Sequence, residues 1–149
     1  MRHAELSEEN CPIARSSAIV GERWVWPILR SAFTGARRFE DYQRGTGVAR
    51  NILTDRLTGL VEHGILDKVL PDGAVQGHRE YRLTAKGRAL FPAYLALMQW
   101  GREWTGLPTA TVEVVHLPCG HHTIPTVVCS ECGGELAARD TRPEFPAGQ

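Results

Sequence analysis

Three of the four cysteines lie close together near the C-terminal end of the chain, beside two adjacent histidines. Cys129 and Cys132 are separated by two residues and precede two glycines, whereas Cys119 stands directly before a glycine and the histidine pair. Thiolate and imidazole groups on tight turns are the usual donors of a tetrahedral structural zinc site. The expected ligands of one structural zinc ion are Cys119, His121, Cys129 and Cys132. His122 and His116 are alternative fourth ligands, and a degenerate ribbon without metal is the competing interpretation.

The remaining cysteine, Cys11, stands immediately before Pro12 at the predicted start of a helix. Proline suits the first helical position, which would make Cys11 the N-cap residue. The helix dipole and the free backbone N–H groups at such a position favour a thiolate over a thiol. Cys11 is therefore a candidate redox sensor, and a small buried side chain is the alternative.

A second set of polar side chains falls on one side of a helix predicted over about 49–63. Apolar residues recur there with the helical period and form a single face. These apolar residues are Leu53, Leu57, Leu60 and Val61. Paired hydrogen bonds suit arginine to guanine and asparagine to adenine, so we expect the opposite face to read bases in the major groove. The candidate base-reading residues are Arg50, Asn51 and Thr54.

The elements around this helix form a helix-turn-helix pattern followed by a hairpin. A short helix over 39–43 and a turn containing Gly45 and Gly47 precede it, and Gly64 suits its C-terminal end. Predicted strands over 65–70 and 79–83 then flank a Pro-Asp-Gly turn, with residues 76–79 at or near its tip. This hairpin predicts a wing, and the order as a whole predicts a winged helix-turn-helix. The expected phosphate or wing contacts are Arg37, Arg38 and Arg79.

Further helices are predicted on both sides of this unit. The apolar helix over 22–33 contains Pro27, which should bend it or delay its start. A helix over 85–104, capped by Thr84, carries a long apolar stripe and should kink at Pro92. The stripe suits both the core of the domain and the seam of a homodimer. A strand over 111–117 opens the cysteine-containing module.

Length and composition bound this architecture. The chain has 149 residues, of which 42% are hydrophobic and 23% charged, so it suits one globular domain with a small appendage. We predict a mainly helical α+β fold: a winged helix-turn-helix domain over 11–105, a zinc-ribbon-like β module over 111–138 and a disordered tail over 139–149. No apolar run would span a bilayer and the N-terminus lacks a signal-peptide core, so the expected location is the cytoplasm.

Charge is unevenly distributed along the chain, although the formal net charge is zero. Between residues 22 and 88 there are twelve Lys or Arg against eight Asp or Glu, whereas residues 112–149 hold two against five. A basic centre suits contacts with phosphates, and an acidic tail would stay away from them.

The motifs over roughly 11–104 together resemble the HxlR family of bacterial winged-helix transcriptional regulators. The resemblance rests on a Cys-Pro pair near the start and on the stretches VGERWVWPILRSAFTGARRF, LTDRLTGLVEHGIL and REYRLTAKGRAL. It implies a homodimer, joined by the first and last helices of the domain, that binds near-palindromic operator DNA. It also implies that an N-terminal cysteine such as Cys11 can respond to oxidants or electrophiles. Ala49 departs from the family, which usually has a helix-capping Ser there, so a capping bond of ~1 kcal/mol is missing.

The sequence therefore predicts a sequence-specific, dimeric DNA-binding regulator. A winged helix that binds protein instead of DNA is the alternative, although the basic residues Arg38 and Arg50 favour DNA. Arg56 is set apart, because its position beside the apolar face makes a structural salt bridge a strong competitor to a DNA contact. An enzyme is not expected, since no base, oxyanion donor or acid pair accompanies either Cys11 or the cysteine cluster.

Overall fold

The computed structural model describes residues 10–71, 79–107 and 112–144. The chain divides into two compact units, Met1–Tyr94 and Leu95–Gln149. The division falls inside a helix, Phe91–Trp104, and not at the interval between 105 and 111 suggested by the sequence. Among the described residues, no helix is both long and apolar enough to cross a membrane.

The first unit begins with α1 (Pro12–Val20) and α2 (Val25–Phe33). Cys11 is the N-cap of α1 and Pro12 its first residue, as predicted. The second helix starts at Val25, later than predicted, because Trp24 at its N-cap adopts a left-handed φ of 81°. Pro27 consequently lies in the first turn of α2, where its missing N–H group costs no helical hydrogen bond.

The helix-turn-helix consists of α3 (Phe39–Thr46) and α4 (Arg50–Glu62). The first of these helices is longer than predicted, and Gly45 lies within it and not in the turn. Its place there follows from packing, because a Cβ atom at Gly45 would come within 2.6 Å of Ser31 Oγ on α2. The glycine allows the two helices to approach closely, and Arg30 Nη2 donates a hydrogen bond to the Gly45 carbonyl at 2.6 Å.

The C-terminal end of α4 has the predicted left-handed glycine. Gly64 has a φ of 67°, and its N–H group donates to the Val61 carbonyl at 2.9 Å. The next N–H group, of Ile65, donates to the Leu60 carbonyl at 2.8 Å. These two bonds and the buried pair Leu60 and Ile65 form a Schellman motif, which directs the chain out of α4 into the wing.

The wing is an antiparallel pair of strands, β1 (Leu66–Val69) and β2 (Glu80–Leu83). Leu66 lies opposite Leu83, and Val69 lies opposite Glu80. The strands confirm the predicted hairpin, with slightly shorter bounds. The predicted tip residues Gln76, Gly77 and His78 lie outside the described residues.

The helix predicted over 85–104 is two helices, α5 (Ala85–Arg88) and α6 (Phe91–Trp104). Thr84 caps α5 as predicted, since its Oγ1 accepts a hydrogen bond from the Gly87 N–H group at 3.0 Å. The break comes before Pro92 and not at a mid-helix kink. Pro92 has no N–H group to donate to the carbonyl four residues earlier, and its ring would clash there, so it stands in the first turn of a new helix.

The core of the first unit is apolar and well buried. Tyr42 lies within it, and burial raises the pKa of this phenol to about 12. The remaining buried core side chains come from α2, α4, the turn before α4 and the wing. They are Val25, Ile28, Leu29, Ala32, Val48, Leu53, Leu57, Leu60, Ile65, Leu66 and Tyr81. Phe33 on α2 adds ring contacts with Phe91 and Tyr94, at centroid distances of 5.0 and 5.1 Å.

The second unit contains short strands joined by turns. β3 (Val114–His116) pairs with β4 (His121–Thr123) in an antiparallel hairpin, and an isolated bridge joins Val128 to Glu135. Ala138–Asp140 form a 3-10 turn, so the segment predicted as a disordered tail is structured at its start. Residues 111 and 145–149 lie outside the described residues. None of the described residues of this unit is buried.

Candidate nucleic-acid interface

The turn between α3 and α4 fixes the angle at which the second helix is presented. Gly47 has a φ of 67° and ends α3 with a bond from its N–H group to the Gln43 carbonyl. Val48 is buried beneath the turn, and its N–H group donates to Thr46 Oγ1 at 3.4 Å. Ala49, at the N-cap of α4, makes no side-chain capping bond, as the sequence predicted.

Arg50 is exposed at the start of α4 but is held by the preceding helix. Its Nη1 donates to Gln43 Oε1 at 2.9 Å, and its Nη2 lies 3.9 Å from Glu40 Oε1. The guanidinium carbon also lies 4.5 Å from the centre of the Phe39 ring. These three contacts orient a cation that stays accessible to a ligand.

Asn51 and Thr54 are also exposed on α4, and both lie within about one helical turn of Arg50. The Thr54 hydroxyl donates to the Arg50 carbonyl at 2.8 Å, within the helix itself. Its lone pairs remain available to accept a hydrogen bond. The three predicted base-reading residues therefore lie on the solvent side of α4, and Leu53 and Leu57 on its other side are fully buried.

Arg37 and Arg38 precede α3, and their backbone is anchored by one carboxylate. Asp41 Oδ2 accepts hydrogen bonds from the Arg38 N–H group at 3.0 Å and from the Arg37 N–H group at 3.3 Å. These two donors lower the pKa of Asp41. Both arginine side chains are exposed, and the Arg38 guanidinium donates no hydrogen bond to any residue that the structure describes. The pair is thus a fixed cationic edge beside the helix-turn-helix.

The wing is tied to this edge through its second strand. The Tyr81 N–H group donates to the Arg37 carbonyl at 2.7 Å, and the Tyr42 hydroxyl donates to the Tyr81 carbonyl at 3.2 Å. Arg79 is exposed at the start of this strand, whereas Arg82 is occupied by Glu80 at 2.9 Å. Of the two wing arginines, the exposed Arg79 is the one for which the sequence predicts a phosphate contact.

Arg56 has a structural role, in agreement with the alternative drawn from the sequence. Its Nη2 lies 3.0 Å from Glu22 Oε2, and its Nε donates to the Arg23 carbonyl at 3.2 Å. The ion pair joins α4 to the segment before α2. Its partner is Glu22 and not the neighbouring Asp55.

Cys11 is exposed at the N-cap of α1. Its exposure contradicts the alternative interpretation, in which Cys11 is a small buried side chain. Its carbonyl accepts a hydrogen bond from the Arg15 N–H group at 3.0 Å, which confirms the start of the helix there.

Of the predicted zinc ligands, Cys129 and Cys132 share one turn, whereas Cys119 lies in another turn beside His116, an alternative fourth ligand. Cys129 and Cys132 share a turn, where N–H groups of Cys132 and Glu131 and the Cys132 thiol lower the pKa of Cys129. Cys119 Sγ lies 3.3 Å from His116 Nδ1, so its histidine neighbour is His116 and not His121. Within the described ranges, no three Cys, His, Asp or Glu side chains are gathered closely enough to hold one metal ion.

Gln43 and Phe39 were missed by sequence reasoning, although both contact the side chain of Arg50. Helical periodicity describes one helix at a time, so it cannot show contacts across the turn of a helix-turn-helix. The signal available in the sequence was the seven-residue separation of Gln43 from Arg50, which spans that turn.

Comparisons with known proteins agree with this geometry. The model of the HxlR-like helix-turn-helix family matches residues 19–108. An HTH-type transcriptional regulator of Mycobacterium tuberculosis is 44% identical over 133 residues, covering 89% of this chain and 84% of that protein. The crystal structure of PA1607, a candidate transcription factor, aligns with a TM-score of 0.86 and 40% identity, covering 94% of this chain and 98% of that chain. The redox regulator HypR in its reduced form aligns with a TM-score of 0.59 and 26% identity, covering 64% of this chain and 95% of that chain.

Proposed function

The chain belongs to the HxlR-like helix-turn-helix family of transcriptional regulators, and on that premise we propose that it binds operator DNA sequence-specifically as a homodimer. Two copies related by a two-fold axis would place two α4 helices in successive major grooves of a near-palindromic site. The proposed binding to operator DNA would require the protein to be in the cytoplasm.

One observation carries the proposal: the two sides of α4 differ completely in chemistry. Leu53, Leu57 and Leu60 are buried, whereas Arg50 and Asn51 are exposed on the first turn of the helix. The N-terminal residues of a recognition helix are the ones that reach base edges. Arginine and asparagine are also the residues best suited to paired hydrogen bonds with guanine and adenine.

Arg50 would have to exchange partners on binding. Its guanidinium is hydrogen-bonded to Gln43 and lies near Glu40, so guanine competes with partners already in place. Because these contacts are solvent-exposed, each contributes little, and the exchange costs little. Phe39 can keep its contact with the guanidinium and hold it in the plane needed for guanine.

Arg38 and Arg79 would supply phosphate contacts from the edge where the wing meets the start of α3. Phosphate contacts fix the register of a protein on the duplex and carry no sequence information. Both side chains are exposed, and the backbone before α3 is anchored by Asp41. Arg37 is the third phosphate-binding candidate, with its carbonyl engaged by the wing.

The proposed dimer seam uses α1 and α6. Both helices carry large apolar side chains that one copy of the chain leaves exposed, among them Ile13 at 74% and Trp104 at 68%. Exposed aromatic residues of this size suit the centre of a homodimer interface. Trp100 on α6 adds to the same set.

Cys11 is the proposed sensor of oxidants or electrophiles. It is exposed at a helix N-terminus, where a thiolate is favoured. The structural likeness to a redox regulator supports this role. Oxidation at Cys11 would act on α1 and so on the proposed seam. If Cys11→Ser leaves oxidant-dependent release from DNA unchanged, this part of the proposal is wrong.

The decisive experiment is fluorescence anisotropy with DNA from upstream of the protein's own gene, against a scrambled duplex, at two salt concentrations. We expect preferential binding to the upstream DNA, and Arg50→Ala should weaken it by about 1–3 kcal/mol, mainly at one base position. Arg142→Ala, which removes the same charge from the second unit, is the matched control. Equal weakening on all sequences would instead make Arg50 a phosphate contact.

A winged helix that binds a protein partner is the alternative function. Weak binding that ignores sequence and fades with salt, for this and for other duplexes of the same genome, would favour it.

A further inference from the structure

Two turns in the second unit share one design. The first reads His-Leu-Pro-Cys-Gly over 116–120, and the second reads Cys-Ser-Glu-Cys-Gly over 129–133. In each turn the closing glycine donates its N–H group to the carbonyl of the first residue, at 2.8 Å in the first turn and 2.9 Å in the second. These glycines, Gly120 and Gly133, have left-handed φ values of 71° and 72°.

Each turn also brings its two metal-binding side chains together. His116 Nδ1 lies 3.3 Å from Cys119 Sγ. In the second turn, Cys129 and Cys132 hold the first and fourth positions, which match those of His116 and Cys119 in the first turn.

We propose that these two turns are the halves of one structural zinc site, formed by His116, Cys119, Cys129 and Cys132. Three thiolates and one imidazole are a standard tetrahedral set for Zn²⁺. Binding would release the thiol protons to solvent and leave no open coordination position, so the ion has a structural role.

The geometry favours His116 over the other two histidines of this unit. His122 belongs to the opposite face of the hairpin, because it pairs in register with Val115. Its Nδ1 lies 2.6 Å from Glu113 Oε2, an interaction that already holds the ring. His121 lies opposite His116 in the ladder, but it lies outside the turn whose hydrogen bonds match those of the second turn.

The two halves are not gathered around one point in the described residues. Metal binding must therefore bring them together, as happens where binding and folding are coupled. Both turns belong to the same compact unit. The hairpin and the Val128–Glu135 bridge hold the backbone of each half in order before they meet.

The need for an ion follows from the absence of a core. No described side chain of the second unit is buried, and Leu117 is 88% exposed. A module this small rarely folds stably on its own apolar contacts, and a structural metal is one of the usual remedies. A second copy of the chain that covers these apolar side chains is the competing explanation, and the experiment distinguishes the two.

The test uses the reduced full-length protein, stripped of metal and titrated with Co²⁺ and then with Zn²⁺. We expect one Co²⁺ per chain, with the intense absorption of thiolate-to-cobalt charge transfer and the visible bands of a tetrahedral site, displaced by one Zn²⁺. Hydrogen exchange at residues 114–123 should slow on addition of the ion. Light scattering at each step shows whether the chain changes its association state.

His116→Ala is the informative variant, and His122→Ala is its matched control on the other face of the hairpin. His116→Ala should weaken Zn²⁺ binding by at least about tenfold, since even an outer partner of a ligand is typically worth 10- to 100-fold. His122→Ala should leave affinity and the Co²⁺ spectrum unchanged. A chain that binds no ion, or slow hydrogen exchange in a metal-free oligomer, overturns the site. Loss of binding in His121→Ala but not in His116→Ala overturns the assignment of His116.

Discussion

The two units of this chain keep their shape by different means. The first buries side chains from three helices and a hairpin, with Ile28, Leu29, Leu53 and Leu57 fully inaccessible. The second has paired strands and closed turns but no buried side chain among its described residues. Backbone hydrogen bonds are therefore present in both, and apolar burial is present in one. Since hydrogen bonds contribute modestly net of water, the second unit needs a further source of stability.

The two units also differ in the side chains that they present. The first unit must present Arg50 and Asn51 at a fixed angle, which a packed core provides without any ligand. The second unit presents two pairs of Cys or His side chains on matching turns, without a buried core beneath them. The family model ends at residue 108, so both of these turns lie beyond the region that defines the family.

The largest expected effect tests the core directly. Leu57→Ala should destabilise the first unit by about 2–5 kcal/mol, because it leaves a cavity at a fully buried position. The same change at Leu117, in the second unit, should alter stability by less than about 0.5 kcal/mol. Urea unfolding, with hydrogen exchange to locate each transition, measures both. A loss above 1 kcal/mol in Leu117→Ala would break the comparison, since it would mean that this side chain is buried in solution.

A smaller effect tests how tightly the first unit is packed. A methyl group at Gly45 would meet Ser31 Oγ at 2.6 Å, whereas one at Gly59 would meet nothing within 4 Å. Both residues are helical, so the gain in helix propensity from alanine is similar and cancels between them. Gly45→Ala should therefore be less stable than Gly59→Ala by about 1–3 kcal/mol, a cost typical of overpacking. Equal melting temperatures for the two variants would show that α2 and α3 can separate freely.

The link between the wing and α3 should contribute less. Tyr42→Phe removes the hydroxyl that donates to the Tyr81 carbonyl and should cost about 0.5–1.5 kcal/mol. Tyr94→Phe is the control, since Tyr94 is only partly buried and contacts its neighbours through its ring. Urea unfolding of both variants gives the difference. If Tyr42→Phe proves as mild as Tyr94→Phe, the wing is held by its core contacts alone.

The smallest effect is electrostatic and depends on pH. The pKa of Asp41 is lowered by the N–H groups of Arg38 and Arg37, so its contribution to stability is present above the unfolded pKa of ~3.9. That contribution is lost as the pH falls through the lower pKa of the folded state. Asp41→Asn should therefore cost at most about 1 kcal/mol at neutral pH and reduce the acid sensitivity of unfolding. Glu40→Gln, which removes the same charge one position earlier, is the matched control because Glu40 accepts neither of the two N–H bonds that Asp41 accepts.

The sequence predicted the first unit well because its determinants are local. Leucine spacing set α4, Gly64 set its end, and the alternation after Arg79 set β2. The errors arose where a distant partner decides the outcome. Gly45 lies in a helix because of Ser31 on another helix. One error was instead local, because Pro92 stands in the first turn of a new helix and does not bend a continuous one.

The candidate sites show the same division. Exposure of Arg50, Asn51 and Thr54 followed from the period of α4, but the contacts of Arg50 with Gln43 and Phe39 did not. In the second unit, the cysteine spacing predicted the two turns, whereas the faces on which the histidines lie depend on the register of β3 and β4. No periodic pattern in three-residue strands specifies that register.

The junction of Tyr42, Tyr81 and Arg37 has a consequence for the thermodynamics of recognition. It joins the base of the wing to the start of the helix-turn-helix through two hydrogen bonds and a pair of perpendicular rings 6.0 Å apart. Segments fixed before binding lose little conformational entropy when they meet a ligand. The paired part of the wing and the recognition helix should thus meet DNA as a single body, and a duplex that does not match their angle must itself bend to fit.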